Sequence, residues 1–295
     1  MTDVAIETRQ LSKRYGRVAA LDGLSLRVDD GEVFGFLGPN GAGKTTTIRL
    51  LLGLIRPDGG DATILGRRVT AGEIRWRADV GYLPGELALW PTVSGAQTLA
   101  FLEGLTGRPA TRRGELLDRL RFSAADLLRP VRTYSDGMKQ KIGIVQALQC
   151  RPRLVLLDEP TKGLDPLVQR GFYDLVRDLA AEGTTVFFSS HVLPEVERVS
   201  TRVAMLRAGR LVSVGSVQDL QRHLPRRVTA TFTGDVDGGS FAALGRITFA
   251  SPRRVELLLD GARVPELVAR VHALPLADLT IEAPSLEEAF LEQYR

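Results

Sequence analysis

The chain has 295 residues and a mass of 32.2 kDa, with 44% apolar and 25% charged residues, the mix of a folded protein of one large domain or one large plus one small. Its net charge is +4 and its pI about 9.4, but the arginines are dispersed among 35 acids, so no nucleic-acid partner is expected. No apolar run is long enough to span a membrane, the start MTDVAIETRQ lacks the apolar core of a secretory signal, and the single cysteine, Cys150, excludes an internal disulfide framework and a cysteine zinc cage; a cytosolic protein is expected.

In chain order, residues 4–11 and 24–37 alternate or run apolar between turn signals and read as strands. The stretch EVFGFLGPNGAGKTTTIRLLLGL then reads as strand 33–37, glycine loop 38–43 and helix 44–54. Residues 93–105, 115–122 and 138–149 have helical period and little strand character, which marks a helical insertion at about 88–150. Further apolar runs at 154–157 and 184–188 flank a helical stretch at 167–179. Short buried strands alternating with helices predict an α/β fold built on a mainly parallel sheet covered on both faces. The pattern changes near residue 224, where an alternating run at 228–232 follows a break. A strand at 255–259, a helix at 264–274 and a closing helix at 285–294 complete a small α+β domain. The expected division is 1–222 and 225–295.

The strongest local signal is Gly38-Pro39-Asn40-Gly41-Ala42-Gly43-Lys44-Thr45, which fits the phosphate-binding P-loop pattern. Gly41 and Gly43 let backbone N–H groups curl around phosphate, and the helix that starts at Lys44 adds the positive end of its dipole. Lys44 supplies charge to the β- and γ-phosphates, and Thr45 an oxygen for Mg²⁺. The run 154–157 ends in Asp158-Glu159-Pro160. Asp158 fits the strand-end carboxylate that holds Mg²⁺, and Glu159, one residue on, fits a group that orients or deprotonates water. Together these make ATP and Mg²⁺ the expected ligands.

Further motifs carry a family resemblance. Tyr134-Ser135-Asp136-Gly137-Met138-Lys139-Gln140 resembles the signature motif of ABC ATPases, usually L-S-G-G-Q. Ser189-Ser190-His191 resembles the family's switch histidine, Lys162-Gly163-Leu164-Asp165 its D-loop, and Tyr15 the aromatic that stacks on adenine. The motifs cover residues 1–222, and the tail PSLEEAFLEQYR looks like the end of the accessory domain of ABC ATPases that pair with a separate export permease. The resemblance implies a P-loop ABC-type ATPase domain and a homodimer that sandwiches two ATPs head to tail. It places Tyr15, Gly38 through Thr46 (including Pro39, Asn40, Ala42 and Thr46), Ser135, Gly137 and Asp165 at ATP. Lys44, Glu159 and His191 are the expected catalytic residues, with Thr45 and Asp158 at the metal.

It also implies an integral-membrane permease partner that keeps the chain on the inner face of the cell membrane, and export of a drug-like or lipid-like substrate. Residues around Trp90–Leu105 are the expected docking surface, unless Trp90 is core. Two positions depart from the family pattern. Gly85 stands where a glutamine touching Mg²⁺ is usual, with Glu86 the nearest substitute, and Asp136 brings an acid into the signature, which is expected to point outward. The alternatives are a non-transport ABC ATPase acting on nucleic acid or ribosomes, and a P-loop small-molecule kinase.

Overall fold

A computed structural model describes residues 3–70, 75–222 and 225–283. Strand β1 (Val4–Tyr15) pairs antiparallel with β2 (Val18–Asp29). Register shifts around Arg9 and Gln10, the latter at φ 49°, keep Ile6 and Leu11 inward on a strand too irregular for simple alternation. The wholly buried β3 (Val33–Leu37) follows, then the glycine loop and α1 (Lys44–Leu51), which ends short of the expected residue 54 where Gly53 turns left-handed at φ 62°. Next come β4 (Gly59–Ile64) and β5 (Arg67–Arg68). A 3-10 turn at Arg75–Asp79 leads into β6 (Val80–Leu83).

The helical insertion consists of α2 (Gly95–Thr106), α3 (Arg113–Arg119), α4 (Ala124–Leu127) and α5 (Asp136–Leu148). A reciprocal capping box between Ser94 and Gln97 starts α2, and Gly107 at φ 65° ends it. The chain then returns to β7 (Leu154–Asp158), α6 (Pro166–Ala181), β8 (Thr185–Ser190), α7 (Leu193–Val199), β9 (Arg202–Arg207) and β10 (Arg210–Ser216).

Two sheets result. The larger has the order β10-β9-β3-β8-β7-β6, with β9, β3, β8, β7 and β6 parallel. The second, β2-β1-β4-β5, is antiparallel, and hydrophobic periodicity did not separate it from the first. One core joins them: Ile6, Leu11 and Leu24 pack in the same cluster as Phe34, Phe36, Phe187 and the α1 residues Ile48 and Leu51. Each such side chain contributes about 1.5–3 kcal/mol on burial. One covering layer of the parallel sheet is therefore part sheet and part helix. On the other face Phe172 of α6 stacks on Phe188, with ring centroids 6.3 Å apart.

The chain divides into two compact units, Met1–Gly215 and Ser216–Arg295, so the expected boundary at 222–225 moves a few residues earlier. The reason is α8 (Val217–Arg222), which falls in the second unit. That unit adds β11 (Arg226–Phe232), β12 (Arg246–Ser251), β13 (Arg254–Leu259), α9 (Val264–His272) and β14 (Leu276–Glu282). Its antiparallel sheet, ordered β12-β13-β11-β14, buries Val228, Phe232, Val255, Leu257 and Leu259 with Leu267 and Val271 of α9. The closing helix expected at 285–294 lies outside the described residues.

Candidate functional site

The side chains around the glycine loop stand at the C-terminal ends of three adjacent parallel strands. From β3 come Gly38–Gly43, from β7 Asp158 and Glu159, and from β8 Ser189, Ser190 and His191. The register sets Leu37 opposite Ser190 and Asp158 opposite Ser189, so the three ends are level. Such a crevice is where open α/β sheets bind ligands.

In the loop, Pro39, Asn40 and Gly41 form an exposed rim, whereas Gly38, Ala42 and Gly43 are buried. Gly43 is held at φ 111°, and a Cβ there would fall 2.4 Å from the carbonyl oxygen of Ala20, so only glycine fits. Lys44 is buried, and its Nζ donates to Gly38 O at 2.6 Å and to Pro39 O at 3.4 Å, while Glu159 Oε1 lies 3.3 Å away. Thr46 is half-buried in the first turn of α1.

Asp158 is 1% exposed, and both of its oxygens are engaged. Thr45 Oγ1 donates to Oδ2 at 2.7 Å and Ser189 Oγ donates to Oδ1 at 2.6 Å. A hydroxyl beside a buried carboxylate is the hard oxygen donor set that Mg²⁺ prefers. Gly85 adjoins the same oxygen, since a Cβ there would lie 3.3 Å from Asp158 Oδ2. That side of the carboxylate is walled by backbone, and Glu86 is exposed. Thr45 and Asp158 thus fit a divalent ion.

Glu159 is one of the few non-glycine residues in the left-handed region, at φ 51°. Its amide donates to Ser189 O at 3.1 Å, and its Oε2 lies 2.7 Å from His191 Nδ1. The His191 ring is half-exposed and faces the carboxylate through Nδ1. Glu159 Oε1 is buried and takes no hydrogen bond; Lys44 stands at ion-pair distance without the alignment to make one.

Surrounding groups tie these loops together. Glu195 on α7 accepts from Thr161 Oγ1 at 2.8 Å and from Ser190 Oγ at 3.0 Å. It also bonds the phenol of Tyr173, whose pKa is pushed up to about 12, chiefly by burial and further by the Glu195 charge. Gln140 on α5, 6% exposed, donates Nε2 to Pro160 O at 2.8 Å and to Glu159 O at 3.3 Å.

The signature residues form a second cluster. Ser135 caps α5 by accepting from Met138 N, which leaves its hydroxyl at the helix N-terminus. Asp136 points outward as expected, with its side chain 94% exposed and paired to Lys139. Gly137 is required by a close approach: a Cβ there would fall 2.5 Å from Gly163 O. Asp165 caps α6 by accepting from Leu167 N and Val168 N, and the Val168 amide foremost holds its carboxyl below the usual range. Tyr15 stands apart at the end of β1, about half exposed, with Lys13 Nζ 5.9 Å from its ring centre.

Trp90 is not core. It is 47% exposed and meets Phe101 edge-on at 4.9 Å, beside a groove of about 370 Å³ that Leu87, Leu102, Leu105 and Cys150 help to line. Among the described residues no helix is long and apolar enough to cross a membrane.

Ser189, Gln140 and Glu195 are the functional neighbours that sequence reasoning gave no role. Their partners lie 31, 19 and 34 residues away, beyond any local pattern.

Comparison with known proteins bears on the family and the fold. The sequence profile of the family described as ABC transporter matches residues 21–162. An uncharacterized ABC transporter ATP-binding protein of Nostoc sp. is 45% identical over 209 residues, 69% of this chain and 62% of that protein, so the chain spans less than two thirds of that relative. A daunorubicin resistance ATP-binding protein of Streptomyces coeruleorubidus is 36% identical over 305 residues, with 99% of this chain and 96% of that one covered. A solved ATP-binding subunit of an ABC transporter superposes with a TM-score of 0.68 at 31% identity, covering 74% of this chain and 92% of the other. By its motifs, its fold and relatives matched along nearly their whole length, the chain belongs to the ATP-binding proteins of the ABC transporter family.

Proposed function

We propose that this chain hydrolyses ATP as a homodimer and drives a separate membrane permease that exports a drug-like or lipid-like substrate. The observation that carries the reading is the joining of Lys44, Glu159 and His191 next to the Thr45–Asp158 pair. The loop amides of Gly38–Gly43 and the Lys44 ammonium bind the phosphates, and binding draws Lys44 off Gly38 O and Glu159. Thr45 and Asp158 would hold Mg²⁺, which would supply charge neutralisation at the phosphates. Glu159, freed at Oε1, accepts the proton of the attacking water, and His191 holds that carboxylate in place through Oε2. Tyr15 offers an open ring face to adenine. Ser135, at the exposed start of α5, and Asp165, at the start of α6, meet the nucleotide held by the second copy.

The resistance function in the name of the Streptomyces relative supports export. The exposed Trp90–Phe101 groove supports docking to a permease that would keep the chain at the inner face of the membrane. Two experiments test the proposal. Glu159→Gln should retain ATP yet stop hydrolysis, and wild-type turnover in that variant removes Glu159 from the mechanism. Lys44→Ala and Ser135→Arg should each give an inactive homodimer. Mixing them assembles one intact site per heterodimer if sites are shared head to tail. One trapped nucleotide per mixed dimer supports the sandwich, and none rejects it.

A further inference from the structure

We infer that Gln140 is a positioning residue that aims Glu159 from the signature helix. The inference rests on the reading of Glu159 as the base. The turn Glu159–Pro160 is held from two sides. On one, the Glu159 amide is tied to Ser189 O of the rigid strand β8. On the other, the carboxamide of Gln140 reaches from α5 to both turn carbonyls, at 3.3 Å to Glu159 O and 2.8 Å to Pro160 O. Glu159 sits at φ 51°, a conformation that persists only where its surroundings over-determine it. Glu159 O also accepts from the Lys162 amide at 3.3 Å, whereas Pro160 O accepts from the buried Gln140 carboxamide, so the shorter of the two Gln140 bonds anchors the turn to α5.

The same helix begins at Ser135 and Gly137, three to five residues before Gln140. A small rotation of α5 about its start therefore moves the carboxamide and the backbone that carries Glu159. Contact at the signature is converted into the aim of the base within one chain.

The test uses the full chain. Gln140→Met keeps the shape and removes both donors, and Gln140→Glu removes them only while the new carboxyl is ionised. If Gln140 aims the base, Gln140→Met lowers kcat about ten- to a hundredfold, with ATP affinity and thermal midpoint near wild type. The rate of Gln140→Glu relative to wild type then rises as pH falls, because a protonated carboxyl regains one donor to Pro160 O. Gln140→Met should show no such recovery. Wild-type kcat in Gln140→Met overturns the inference, as does a loss that follows ATP affinity or thermal midpoint instead of kcat, or a pH-independent ratio in Gln140→Glu. Glu159→Gln measured alongside separates the two readings: if it turns over normally the base assignment itself fails, whereas a dead Glu159→Gln with a normal Gln140→Met rejects Gln140 alone.

Discussion

Replacing Gly137 by alanine sets two known effects against each other. In an exposed helix, alanine is favoured over glycine by up to about 1 kcal/mol. At Gly137, however, the new Cβ would stand 2.5 Å from the backbone oxygen of Gly163, a contact that real Cβ atoms essentially never make. The obstacle is backbone, not a side-chain tip that can swing away, so either α5 or the loop at Gly163 must move. Forcing one methyl into such a place costs roughly 1–3 kcal/mol. The expected balance is a loss of about 1–2 kcal/mol, or a fall of a few degrees in thermal midpoint at about 2–4 °C per kcal/mol. Gly104 is the matched control, since it lies inside α2, is exposed, and a Cβ there would meet nothing within 4 Å. Gly104→Ala should raise the midpoint. Calorimetry and urea unfolding of both variants decide the matter, and a Gly137→Ala protein as stable as Gly104→Ala would show that the approach of the two loops is not tight.

Ser189→Ala removes one of the two hydroxyls on Asp158, so Mg²⁺-dependent nucleotide binding should need about tenfold more metal; an unchanged Mg²⁺ midpoint would dismiss Ser189 as an orienting group. Tyr15→Ala should weaken nucleotide binding by about 1–3 kcal/mol while Tyr15→Phe stays near wild type, and equal losses in a titration would assign the effect to the hydroxyl. The Asp165 carboxyl is lowered in the fold, mainly by the Val168 amide, so its capping contribution is full above the ordinary carboxylate value and lost as pH falls through the folded value. The stability gap between wild type and Asp165→Asn should then narrow below about pH 4, and a gap that stays constant in acid unfolding contradicts the assignment.

The parts legible in sequence are those whose chemistry needs contiguous residues. Gly38–Thr45 and Asp158-Glu159 are readable because a phosphate cradle and a strand-end carboxylate are each built from neighbours in the chain. Strand β3 and strand β7 are readable because full burial makes them short unbroken apolar runs. Strands β12 and β14 were not, because they lie at sheet edges with most residues exposed, which erases alternation. The separate sheet of β1, β2, β4 and β5 was hidden by register shifts that break period two. In the site, Ser189 was visible as part of a motif, but its bond to Asp158 exists only once β7 and β8 are paired. The same holds for Gly137, whose need for glycine comes from a loop brought against it by the fold. The outward turn of Asp136 was readable, since an acid near phosphate is unfavourable unless solvent takes it.

The levelling of three strand ends has a consequence for how this protein fails on heating. Every residue of β3, β7 and β8 is buried, and their ladder bonds run to the last residue before the reactive groups. Amide hydrogens of such central strands exchange only through global opening. The slowest-exchanging amides of the first unit, near Leu37, Asp158 and Ser189, therefore sit one or two residues from Lys44's cradle, Glu159 and His191. A site anchored this way has no local melting of its own: deuterium uptake at its base, loss of nucleotide binding and collapse of the parallel sheet should arrive at one temperature, while the exposed rim at Pro39–Gly41 exchanges freely throughout.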